Sequence, residues 1–349
     1  MKQRLTALIL LCALLTGCAA AGKGEQPLTA TVLAMDTVMN FTLYGGGMGE
    51  EQLRQALSGA EDTLRQLDAA LTAQGAEGEA AALNAADGGW TAVPQSGALL
   101  KQTLELAELT GGALDPTAYA AVKAWGFADG NYTVPNREEL DALRAAIDYT
   151  RVEVSQDGAQ ARLAPGQQLD FGATAKGYAG DLLRRQLEQG GITSALLDLG
   201  QSSIAAVGSK PDGSPWRIGI QDPAADSGVY LGVLELSGRS MGTSGSYQRY
   251  FDRDGVRYCH IIDPATASPA RSGLAGVTVV ADSCLLCDGL STALFVMGME
   301  EGVRFWRENS GLEFDVIFIT DAGEIFVTSG LKDSFTLADG ETREVQVLE

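Results

Sequence analysis

The chain has a single histidine, His260, and so no imidazole cluster with which to hold a metal. Its two closely spaced cysteines, Cys284 and Cys287, have no second Cys pair to complete a tetrahedral zinc site. Of the five cysteines, Cys12 and Cys18 belong to the extreme N-terminus. The odd number left, Cys259, Cys284 and Cys287, excludes a complete disulfide framework. Cys284-Leu-Leu-Cys287 has redox-motif spacing but sits in an apolar stretch, and small core residues are the expectation. Basic side chains are scarce: 25 Lys and Arg stand against 45 Asp and Glu, for a net charge of −20. A nucleic-acid binder is excluded by this balance, because cationic side chains supply most of that affinity. An anionic substrate would need a local cation or dipole to offset the general field. No stretch reaches 18 apolar residues, so no transmembrane helix is predicted. Neither a long Pro- or Ser-rich linker nor a repeat of fixed period interrupts residues 28–349, which favours one domain.

What is present is ample for folding: 349 residues, 45% of them hydrophobic, a length at which about 75% of the unfolded surface can be buried. Lys2 and Arg4 precede an apolar run from Leu5 to Leu15 that ends in Leu15-Thr16-Gly17-Cys18. This order resembles a bacterial lipoprotein signal. It predicts removal of residues 1–17, lipidation of Cys18, a tether to about residue 27 and a lipid-anchored, extracytoplasmic protein on a bacterial membrane. From Leu28 to Tyr44 apolar and polar residues alternate around Met35-Asp36-Thr37, the pattern of paired strands. Helices are predicted over Glu50–Leu71, Gly97–Thr110 and Lys176–Gln189, over 284–297 and again near 302–307. A further helix opens at a capping box of Asn136 and Glu139. Short strands are expected near 149–154, 160–163, 194–199, 204–207, 216–221, 229–236, 258–262, 277–281, 314–319 and 325–327. The mixture predicts an α+β fold, with a mixed, largely antiparallel sheet surrounded by helices.

Four polar segments stand out. Asp170 to Tyr178 runs from an expected strand end through small residues into a helix start carrying Lys176. Such a turn suits a phosphate, because backbone N–H groups and the helix dipole favour negative charge there. A tight strand–helix connection with a solvated Lys fits the same residues. Asp288 and Thr292 are one helical turn apart and offer two hard oxygens, a donor type that suits Mg²⁺. An Asp near a helix N-terminus is equally a capping device. His260 lies in Tyr258–Pro264, read as a strand; an imidazole titrates near neutrality and is the common general base, although a lone His is commonly structural. Met241 to Tyr247, rich in small and hydroxyl residues, reads only as a tight turn.

Taken in order, these segments resemble the FAD:protein FMN transferase family, the ApbE-type lipoproteins. Besides them, the likeness is carried by Met35-Asp36-Thr37, Ala113-Leu114-Asp115-Pro116-Thr117, Trp125-Gly126-Phe127 and Leu199-Gly200. The resemblance implies FAD as donor, Mg²⁺ as metal, and transfer of the FMN half to a Ser or Thr hydroxyl of an acceptor flavoprotein, with release of AMP. It implies that Met35, Ala113, Leu114, Asp115, Asp170, Lys176 and Ile262 contact the flavin nucleotide. It also implies that the Ala173 carbonyl joins Asp288 and Thr292 around the metal, and that His260 is the base. Gln201 and Ala267 depart from the family pattern by standing where Gly is common. Two other functions remain open at this stage: Mg²⁺-dependent hydrolysis of FAD to FMN and AMP, and flavin binding without catalysis.

Overall fold

A computed structural model describes residues 25–74 and 77–349. The signal segment, Cys18 and most of the tether lie outside the described residues. Among those described, no helix is long and apolar enough to cross a membrane.

A nine-stranded sheet runs through the molecule in the order Leu28–Ala34, Thr37–Tyr44, Ser194–Asp198, Ser203–Val207, Ser240–Gly245, Leu274–Ala281, Asp315–Thr320, Ile325–Thr328, Val345–Leu348. Every neighbouring pair is antiparallel except the last, which is parallel. Successive strand residues point to opposite faces, and the core divides accordingly. Ala205, Val207, Val277, Val279, Val316 and Phe318 meet the helices on one face. Ile204, Ala206, Met241, Val280, Ile317 and Ile319 meet a second, three-stranded sheet on the other. That small sheet has the order Phe335–Leu337, Tyr230–Leu236, Trp216–Gln221.

The helices are α1 (Glu50–Leu71), α2 (Glu79–Ala85), α3 (Gly97–Leu109), α4 (Tyr119–Ala124), α5 (Arg137–Ala146), α6 (Ala175–Gln189) and α7 (Cys284–Glu308). α1 buries Leu53, Leu57, Leu64, Leu67 and Leu71 on one stripe, the i, i+4 and i+7 spacing of an amphipathic helix. The capping box of α5 forms in both directions, Asn136 accepting from the Glu139 N–H and Glu139 accepting from the Asn136 N–H. α7 breaks at Gly298, whose φ is 79°, between the two helices that the sequence separates. Cys284 and Cys287 are buried free thiols.

The fold is α+β, as expected, but several local expectations are corrected. Of Met241–Tyr247 only Ser246 and Tyr247 turn: Ser240–Gly245 is a central strand, and its small residues let α7 lie against it. A Cβ on Gly242 would come within 2.5 Å of the Cys287 carbonyl carbon. The segment before Gly172 is irregular, its only ladder contact being a bridge from Ala118 to Gln168. Tyr149–Arg151 is a 3₁₀ turn rather than strand. His260 falls in the break between strands Val256–Cys259 and Ile262–Asp263. Helix α4 is too short to show a period, and the sequence did not mark it.

A second close approach fixes α6 against α7. A Cβ on Gly177 would stand 2.4 Å from the Cys284 carbonyl oxygen. Both contacts are to backbone, which cannot swing aside. Gly177→Ala is therefore expected to lower the unfolding free energy by about 1–3 kcal/mol, read from denaturant unfolding; an unchanged midpoint would refute this packing.

Candidate active site

The loops and helix ends at one side of the large sheet enclose a cavity of about 340 Å³. Met35, Ala113, Leu114, Asp115, Asp170, Ala173, Lys176, His260, Ile262, Asp288 and Thr292 all line it. Sequence positions from 35 to 292 are thus brought to one place by the sheet order.

Asp288 is the deepest charged group, 6% exposed. Its Oδ2 accepts the Gly177 N–H at 2.7 Å and its Oδ1 accepts the Ser203 hydroxyl at 2.6 Å. Burial raises its pKa above the usual carboxylate value, against the opposing pull of Lys176 and these two hydrogen bonds. Gly177 is the third residue of α6, so its N–H is one of the first-turn donors that have no acceptor within the helix. Asp288 supplies that acceptor, and Ala173, which precedes the N-cap Thr174, lines the same cavity. Near Asp288, Ser244 Oγ lies 3.0 Å from both Ser291 Oγ and Thr292 Oγ1. Carboxylate, hydroxyls and a carbonyl make an all-oxygen donor set, which fits Mg²⁺ with phosphate and water completing the shell. No group of three or more His, Cys, Asp or Glu placed to hold a metal ion occurs among the described residues, so a metal here would rest on the one carboxylate with neutral oxygens.

The two helix N-termini here are capped by each other's aspartates. That of α7 is closed: Asp181 accepts from the backbone N–H groups of Cys284 and Leu285, and Ser283 accepts from that of Leu286. At the start of α6 the N-cap Thr174 side chain makes no cap bond, but Asp288 accepts from the Gly177 N–H and the Phe171 carbonyl from the Ala175 N–H. This helix start carries Lys176, which lines the cavity and forms no ion pair among the described residues.

Asp170 accepts from the Gly172 N–H, and burial pushes its pKa up to about 6 despite that bond and the nearby Arg249. Asp115 is used internally, with Thr117 N–H and hydroxyl on Oδ1 and Tyr149 N–H on Oδ2; it braces the loop that presents Ala113 and Leu114. Met35 and Asp36 form the two-residue turn between the first strands, both at positive φ (51° and 58°), the geometry of a type I′ hairpin. The Met35 N–H is held by Asp68 at 2.9 Å. Ile262 is buried in the aromatic cluster with Trp125, Phe127 and Phe251. Gln201 and Ala267 also have positive φ, 67° and 55°, a backbone region in which Gly is least strained.

His260 lies at the open end of the hairpin in which Tyr250 pairs with Cys259. This register sets it opposite Arg249, whose carbonyl accepts the His260 N–H at 3.0 Å and faces Nδ1 at 3.3 Å. A carbonyl can only accept, so the ring proton belongs on Nδ1 and Nε2 keeps a free lone pair. Burial, then the Arg249 and Lys176 charges, bring the imidazole pKa down to about 4. Arg249 was not among the expected site residues. It lines the cavity and donates to the Phe127 carbonyl at 2.5 Å, and only the hairpin register reveals its position.

An α+β fold with a phosphate-suited helix end, a buried carboxylate and a neutral imidazole in one cavity defines a nucleotide-handling enzyme. The sequence model of the ApbE family matches residues 35–316. The FAD:protein FMN transferase of Treponema pallidum is 33% identical, with 88% of each chain covered. That of Klebsiella pneumoniae strain 342 is 33% identical over 92% of this chain and 93% of its own. Among solved structures, the ApbE protein of Thermotoga maritima superposes with a TM-score of 0.81 at 27% identity, covering 88% of this chain and 99% of that one. The flavinyl transferase ApbE of Pseudomonas stutzeri, in its apo form, gives 0.79 at 31% identity, covering 90% and 98%. The chain belongs to the ApbE family.

Because His260 is the only histidine, its ring resonances can be followed by NMR without ambiguity. The ligand-free protein is expected to titrate with a midpoint near pH 4, the imidazole being neutral from about pH 5 upward because burial penalises the cation. A midpoint at or above 6.5 would refute the buried, cation-flanked environment.

Proposed function

We propose that the protein transfers the FMN moiety of FAD to a Ser or Thr hydroxyl of an acceptor flavoprotein and releases AMP. The observation that carries this reading is the convergence of Lys176 at the start of α6, Asp288 and the free Nε2 of His260 on one cavity in an ApbE-family chain. FAD is a dianionic pyrophosphate and the protein carries a net charge of −20. Lys176 and the dipole of α6 counter that field locally, while Met35, Ala113, Leu114 and Ile262 offer apolar surface for the flavin. Asp115 and Asp170 contact the nucleotide in this reading; protonated Asp170 can donate a hydrogen bond.

Transfer forms a bond from the acceptor oxygen to the FMN phosphorus and breaks the bond from that phosphorus to the bridging oxygen, which leaves with AMP. The acceptor hydroxyl proton goes to Nε2 of His260, with Nδ1–H held on the Arg249 carbonyl. Mg²⁺ bound by Asp288, Thr292 and the Ala173 carbonyl would supply Lewis-acid neutralisation of the pyrophosphate. We further propose that Cys18 is lipidated and anchors the protein to the outer surface of a bacterial membrane, a reading supported by the order of charge, apolar run and Leu15-Thr16-Gly17-Cys18.

Incubation with FAD, Mg²⁺ and candidate acceptor domains should give a covalent FMN adduct on a Ser or Thr, detected by mass spectrometry. AMP release at the same rate with and without acceptor would assign hydrolysis instead. His260→Ala is expected to slow transfer by about 10²–10⁴-fold with FAD affinity retained; wild-type rates would remove His260 from proton transfer. Asp288→Asn, which keeps one acceptor oxygen, should abolish the Mg²⁺ dependence of FAD binding in a fluorescence titration, and an undiminished dependence would move the metal elsewhere.

A further inference from the structure

A second and larger hollow, about 940 Å³, adjoins the nucleotide cavity, and Gly200, Thr243 and Gln248 line both. Its floor is the face of the large sheet opposite the helices, where Leu196, Ile204 and Met241 emerge. One wall is strand Trp216–Gln221, and here the lining is unusual. Arg217, Ile218, Gly219, Ile220 and Gln221, five consecutive residues, all border the hollow. A strand's face cannot do this, because alternate side chains point to opposite sides. Only a strand's edge presents every residue to the same space.

The edge is open. Trp216–Gln221 pairs with Tyr230–Leu236 on one side, and no described strand pairs with the other. Proteins ordinarily blunt such edges with Lys, Pro or a covering loop. This one has neither Lys nor Pro, and its single register irregularity lies at the far end, between Ile220 and Gln221. Its border is mostly polar, with Arg217, Gln221, Asp226, Tyr250 and Arg257, and Tyr230, 55% exposed, stands among them. The Tyr230 ring lies across Gly219, where a Cβ would come within 2.5 Å of it. Gly219 therefore keeps both the ring and the strand edge accessible.

We propose that this open edge is the docking groove for the acceptor polypeptide, which adds to it as an extended strand and carries its hydroxyl side chain into the nucleotide cavity. The inference rests on the transfer reading, since that reaction requires a polypeptide to reach a nucleotide already seated in a cavity. The shared border at Gly200, Thr243 and Gln248 supplies the passage. Main-chain hydrogen bonds to an edge give affinity that depends little on the partner's sequence, while alternate side chains meet the groove. A six-residue strand spans about 20 Å, so one short extended segment of the acceptor suffices. Tyr230 would contact it from the side.

The test uses the full chain loaded with FAD and the acceptor domain that becomes labelled in the transfer assay. For hydrogen exchange, the modified Ser or Thr of that domain is replaced by Ala, so that the complex forms without turnover. The alternate amides of residues 217–221 that face the open edge are expected to exchange about tenfold or more slowly in the complex, and Tyr230→Ala and Gly219→Pro to raise the acceptor KM about tenfold, the equivalent of about 1.4 kcal/mol. Both positions border only the second hollow, so FAD affinity should be unchanged. Tyr230→Ala removes a largely exposed ring and keeps the test alive if Gly219→Pro does not fold. Protection confined to other surfaces, or an unchanged acceptor KM in the folded variants, overturns the docking groove. A parallel loss of FAD affinity also overturns it and gives the groove to the nucleotide. If the wild-type protein labels no acceptor, it is the transfer reading that fails, and this is seen before any variant is made.

Discussion

The carboxylate of Asp288 ties together three elements that would otherwise have no reason to meet. It takes a backbone N–H from the start of α6 and a hydroxyl from strand Ser203–Val207 while standing on α7. Two glycines make the tie possible: Gly177 lets α6 touch the backbone of α7, and Gly242 lets α7 touch the central strand Ser240–Gly245. Buried carboxylates are costly unless their lone pairs are engaged. The cost is offset here by charge-assisted bonds of 2.7 and 2.6 Å and by the positive end of α6. Ala173, just before the N-cap of α6, lines the same cavity as the carboxylate. The structural joint and the proposed metal position are therefore one construction.

Around that joint the electrostatics are local exceptions to a strongly acidic molecule. Lys176 and Arg249 face the cavity, and the dipole of α6 adds to them. Asp181 has sealed the competing N-terminus of α7. The same two cations explain why His260 is held neutral: burial is the main cause, and each positive neighbour disfavours a third charge. Asp170 moves the opposite way, up to about 6, because burial outweighs the Gly172 N–H and Arg249. A neutral imidazole with its Nδ1 proton directed at a carbonyl is suited to accepting a proton, and the cations that depress its pKa are those that would receive a pyrophosphate.

Local physics was legible wherever it obeys a short rule. The period of α1, the capping box at Asn136 and Glu139, the break of α7 near Gly298 and the paired strands around Met35 each depend on residues within one or two turns of one another. Residues 241–247 misled because small residues signify turns in isolation, whereas here Gly242 serves a helix more than forty positions away. Arg249 was invisible for a similar reason: nothing near it in sequence marks it, and only the hairpin register sets it against His260. The positive φ at Gln201 and Ala267 gives the physical sense of the glycines expected there, since both residues occupy a region that costs a side chain but not a glycine.

The sequence by itself determined the α+β class, the paucity of cations and thiols that removes several chemistries, and the residue types from which the site is made. These follow from composition, periodicity and local capping, each readable along the chain. Only the tertiary structure decided that Asp288 bonds to Gly177, that Arg249 stands against His260, and that the edge of strand Trp216–Gln221 opens beside the cavity. Each depends on groups brought together by the order and register of strands, and neither order nor register leaves a local mark in sequence.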